Sequence, residues 1–63
     1  MKTYRYRLTA GALIRRVVRR QLLAAGFTFT EEKGLLDSLF VVTGLTASQF
    51  QALHAYVTRV NAS

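Results

Sequence analysis

Polar and apolar residues alternate over residues 2–9: Tyr4, Tyr6 and Leu8 fall on one side, Thr3, Arg5, Arg7 and Thr9 on the other. That period of two predicts a strand with one buried face. At Thr9 the period changes. Thr9 is placed to cap a helix over 10–25, with Leu8 stapling onto Leu13 and Gly26 closing the C-terminus. At 100° per residue, Leu13, Ile14, Val17, Val18, Leu22 and Ala24 share one broad face, and Arg15, Arg16, Arg19 and Arg20 share the opposite one with Leu23. Gln21 falls near the centre of the apolar face. Either it bonds across an interface or the helix is rolled from this orientation.

Alternation resumes over 27–31, with Phe27 and Phe29 inward and Thr28 and Thr30 outward. Glu31-Glu32-Lys33-Gly34 reads as a hairpin turn in which Gly34 supplies positive φ. The return strand, 36–43, is apolar on both faces (Leu39 and Val41 on one, Phe40 and Val42 on the other), which marks a central strand. Thr46-Ala47-Ser48-Gln49 is a capping box, with Leu45 stapled onto Phe50. It opens a helix to about Asn61 whose apolar face carries Phe50, Leu53, Val57 and Val60.

These elements predict an α+β fold, β-α-β-β-α, in a single domain over 1–63. A right-handed crossover followed by a tight hairpin places the third strand between the other two, giving sheet order 1-3-2. With both helices on one face, this is the ferredoxin-like arrangement lacking its fourth strand, on topology alone. The open face then carries Arg5, Arg7, Thr28 and Thr30 around a stripe of either Leu39 with Val41 or Phe40 with Val42. An apolar stripe open to water calls for a partner.

Charge changes the picture more than composition does. The first 20 residues hold Lys2 and six arginines with no acid, whereas the remainder holds Lys33 and Arg59 against Glu31, Glu32 and Asp37. The net charge of +6 therefore arises in the first third of the chain. Such asymmetry points to a polyanion or an acidic protein surface, against the plainer alternative of solubility. With 51% apolar residues the chain is no disordered tail, and with no cysteine it is neither a disulfide scaffold nor a Cys-based zinc module. Burial at this length returns on the order of 90 kcal/mol, close to the ordering cost of ~1.5 kcal/mol per residue, which makes self-association the natural supplement.

The N-terminus has a transit peptide's arginine content but alternates like a strand, and it holds neither a signal-peptide core nor a membrane span. A cytoplasmic protein is the default expectation. Tyr4 and Tyr6 beside Arg5 and Arg7 suggest base stacking, but alternation sends rings and guanidinia to opposite faces, so the tyrosines read as core. His54 is the sole histidine; with few carboxylates and no Cys beside it, a packed side chain outweighs a metal ligand or a base. Asp37, Ser38 and His54 are the residue types of a triad, yet no motif orders them. The expectation is a non-enzymatic, dimeric nucleic-acid or polyanion binder without metal, cofactor or small-molecule substrate. Arg15, Arg16, Arg19 and Arg20 form its contact ridge, and Arg5 and Arg7 add to it. The alternative is an adaptor or inhibitor docking the same arginines on an acidic protein.

Overall fold

The computed structural model describes residues 1–62. The elements are β1 (Lys2–Leu8), α1 (Ala12–Ala24), β2 (Thr28–Lys33), β3 (Ser38–Leu45) and α2 (Ala47–Ala62). The three strands form one sheet in the order β1-β3-β2, with β3 antiparallel to both neighbours. This is the ferredoxin-like order without a fourth strand.

Pairing shows which stripe is buried. Tyr4, Tyr6 and Leu8 lie across from Val42, Phe40 and Ser38, and Phe29 and Glu31 lie across from Val42 and Phe40. Phe40 and Val42 therefore face the helices, while Leu39 and Val41 join Arg5, Arg7, Thr30 and Glu32 on the open face. One core cluster combines Tyr6, Leu8, Phe40, Val42 and Leu45 of the sheet with Val18 and Leu22 of α1 and Leu53 and Val57 of α2. Leu45 reaches that core through a bulge. Register shifts between Lys2 and Tyr4, leaving an extra residue on β3, and Gly44 takes φ +71° there. Strict alternation would send Leu45 outward with Leu39 and Val41, but the bulge turns it inward to full burial.

Three local expectations are corrected. Thr9 does not cap α1. Gly11 is the N-cap, without a side-chain bond, and the Thr9 amide and hydroxyl both donate to Asn61 Oδ1 on α2 (3.0 and 3.3 Å). The hairpin turn is not 31–34: β2 runs on to Lys33, and 34–37 make the turn, leaving Leu35 and Leu36 exposed at its tip. Gly34, too, has no positive φ. It is needed for close approach, because a Cβ there would lie 2.8 Å from Asp37 Oδ1 and 3.0 Å from its carbonyl oxygen. At the other end of α1, Gly26 does take φ +80°, with Gly26 N–H donating to the Leu23 carbonyl and Phe27 N–H to that of Leu22, a Schellman closure.

Candidate nucleic-acid interface

Two of the four arginines on α1, Arg15 and Arg19, are half-buried against the hairpin. The predicted ridge opposite the apolar face is corrected here: α1 is rolled so that Arg15, Val18, Arg19 and Leu22 point toward the sheet, about a third of a turn from the expected orientation. The cause lies on the hairpin. Glu31 continues the inward alternation of Phe27 and Phe29, so its carboxylate lies beneath α1 and needs a cation there. Arg19 supplies one, with Nε donating to Glu31 Oε1 and Nη2 to Oε2 at 2.8 Å. The pair is well shielded, with side-chain exposures of 29% for Arg19 and 7% for Glu31. The Arg19 hydrogen bonds hold the Glu31 carboxyl below its ordinary pKa, outweighing the opposing effect of its own desolvation.

Arg15 braces the turn. Its Nη1 donates to the carbonyls of Gly34 (3.4 Å) and Asp37 (3.0 Å) and to Ser38 Oγ (3.1 Å). Ser38 is the one buried polar residue among those described. Arg15 Nε is buried without an acceptor. The signal for the Arg19 contact was present in the chain: a carboxylate on the inward face of β2, the strand that follows in sequence a helix rich in arginine; the Arg15 contacts, to two carbonyls and a hydroxyl, had none. What sequence could not give was the hairpin register that brings them together.

Arg16 and Arg20 are exposed and make no hydrogen bond or ion pair among the described residues. Arg5 is likewise exposed and unpaired, on the open sheet face. Arg7 shares that face and pairs with Asp37 at 3.3 Å, an exposed contact worth little. The six predicted residues thus form no single surface, since the helical set and the strand pair lie on opposite sides of the sheet.

A smaller basic site does form. Arg15, Arg16 and Arg19 of α1 and Lys33 at the end of β2 line a cleft of about 240 Å³ together with Ala12 and Gly34. Lys33 was not among the expected residues. The cleft lies beside the first turn of α1, which carries no acid and no side-chain cap, so its amides add partial positive charge. Glu31 offsets one of the four cations.

The tyrosines behave as core. Tyr6 stacks on Phe40 with centroids 5.3 Å apart, and Tyr4 packs at 5.0 Å from both Tyr6 and Phe50. Tyr4 Oη and His54 Nδ1 share a hydrogen bond of 2.9 Å. No helix among the described residues is long and apolar enough to cross a membrane. No protein-family model, curated protein or solved structure matches this chain, so its functional reading rests on its own residues.

Proposed function

We propose that the protein is a non-enzymatic binder of phosphate-bearing polyanions, nucleic acid foremost, through the cleft between the first turn of α1 and the β2–β3 hairpin. The observation that carries this reading is the convergence of Arg15, Arg16, Arg19 and Lys33 on one concave surface beside uncapped helix amides. Within it the arginines divide the work. Arg15 and Arg19 hold the cleft's shape through their bonds to the hairpin, while Arg16 and Lys33 offer free charge to a ligand, with Arg20 one turn further along α1. Titration against duplex DNA and RNA at two salt concentrations tests this. Three neutralised phosphates give a slope of log K against log salt of about −3. Replacing Arg16, Arg20 and Lys33 by Gln flattens it with the fold intact. No binding to either nucleic acid at about 50 mM salt defeats the reading.

A second reading, an adaptor or inhibitor on an acidic protein, is favoured by a different observation: Leu13, Ile14 and Val17 are left exposed on α1, and phosphate recognition has no use for them.

A further inference from the structure

Helix α1 makes little use of its aliphatic residues. Val18 and Leu22 are buried, but Leu13, Ile14 and Val17 remain 74%, 46% and 45% exposed. Burying each would return about 1.5–3 kcal/mol. Leu13 and Val17 crown the side of α1 away from the sheet, and Ile14 lies on one line with Gln21 and Ala25. That line borders α2. The two helices scarcely touch each other, and between them runs a cleft of about 230 Å³ with an almost wholly apolar lining. Leu22 and Leu53, both buried, form its floor, and Ala25, Ala52 and Tyr56 its walls. A groove between two helices is the shape that accepts a third.

The charge around the groove selects the occupant. Neither helix of this chain carries an acidic residue: α1 has four arginines, and the only charged residue of α2 is Arg59. A second copy laying either helix in the groove would set cation against cation, which is costly. On one side Arg20 projects past the Leu13–Val17 crest, whereas Arg16 points away from the groove into the basic cleft. On the other, Arg59 lies over the Tyr56 ring at 6.0 Å. We infer that the α1–α2 groove is the docking site for an amphipathic helix of another protein, its aliphatic stripe seated on Leu22, Ala52 and Leu53 and its acidic margins against Arg20 and Arg59. This gives the second reading a definite surface and partner, and it does not depend on the phosphate cleft.

The probe is a synthetic peptide of about 18 residues with Leu at helical i, i+3, i+4, i+7 spacing and Glu along both margins. A control carries Lys for every Glu, and phosphatidylcholine vesicles with about 30% phosphatidylglycerol form a separate arm. Backbone amide shifts of the folded protein report binding. The acidic peptide should move Gln21, Ala25, Ala52 and Tyr56 and saturate with a Kd at or below about 100 µM, with the Lys control at least about tenfold weaker. Ala52→Glu, at an exposed helical position, should weaken binding by about tenfold or more without loss of helix signal. Several outcomes overturn the inference: no shifts up to about 1 mM peptide, shifts confined to other surfaces, equal binding of the Lys control, tight binding by Ala52→Glu, vesicle binding through these amides in preference to the peptide, or a protein dimer that Ala52→Glu abolishes. Failure against nucleic acid leaves these outcomes untouched, so the two proposals fall separately.

Discussion

Tyr6 is 7% exposed, stacked on Phe40, and its hydroxyl is buried without a partner. Burial pushes its pKa well above the ordinary phenol value, with Tyr4 adding to the effect, so the group is neutral at any working pH. A buried hydroxyl without an acceptor carries its desolvation cost uncompensated. Tyr6→Phe should therefore leave urea stability unchanged or raise it by about 1 kcal/mol, and a loss of that size would mean the hydroxyl is bonded. Glu31 is the opposite case, a well-shielded carboxylate whose partner is present. Its folded pKa lies below the ordinary value of 4.5. The Arg19 pair thus contributes stability that is full above that value and disappears as pH falls through the folded pKa. Urea melts at pH 7 and near pH 3 should show the wild type losing stability in acid more steeply than Glu31→Gln. At neutral pH that variant should be weaker by about 1–3 kcal/mol, since it leaves Arg19 with a neutral partner. Parallel pH profiles for the two proteins would show that the pair does not govern the acid response.

Among the elements, α2 begins where a purely local signal places it. Gln49 N–H donates to Thr46 Oγ1 at 3.1 Å, and Thr46 N–H donates to Gln49 Oε1 at 2.9 Å. Thr46→Ala removes the first of these bonds and should cost about 1 kcal/mol, lowering the melting temperature by several degrees. An unchanged melt would mean that water replaces the cap without loss. The capping box, the Gly26 closure and the doubly apolar β3 were legible because each is written within a few neighbouring residues. Sheet order followed from connection rules. The roll of α1 was not legible, since it is decided by Glu31 and Ser38 on a hairpin whose register the local pattern misplaces. Leu36 reads as a strand residue, yet with Leu35 it occupies the turn tip because pairing of Glu31 and Lys33 with Phe40 and Ser38 extends β2 to Lys33. The Thr9 cap failed for a similar reason. Asn61, far away in sequence, accepts from both Thr9 groups and donates to the Arg7 carbonyl at 3.0 Å, tying the end of β1 to the end of α2. The candidate site was legible as a charge excess and no further. Which arginines are structural depends on contacts that cross the fold.

The whole molecule exposes 4406 Å², somewhat more than the ~4,100 Å² expected of a compact chain of this mass. The excess fits a helix that leaves its aliphatic crest in water. Charge limits the surfaces by which a second copy could join. The helices present cations alone. On β1, the other sheet edge, antiparallel pairing about a twofold axis would set Arg5 and Arg7 against Arg5 and Arg7 of the copy, which is unfavourable without an intervening anion. β2 differs. It lies at the sheet edge with one side unpaired, and its sequence, Thr28 to Lys33, carries both signs of charge together with Thr and Phe, which are favourable cross-strand neighbours. We therefore propose pairing of β2 with β2 in an antiparallel dimer that extends the sheet to six strands and leaves the α1–α2 groove open. Light scattering should give twice the chain mass at micromolar concentration. Gly34 N–H donates inward to the Asp37 carbonyl at 2.7 Å, and amide direction alternates along β2, so Phe29, Glu31 and Lys33 carry the outward donors. Proline removes such a donor, so either Glu31→Pro or Lys33→Pro should return the protein to monomer while keeping its helical circular dichroism. A wild type that remains monomeric at about 100 µM defeats the dimer. Two folded proline variants that both still dimerise would exclude this edge and leave the Leu39–Val41 stripe of the open face as the surface to test.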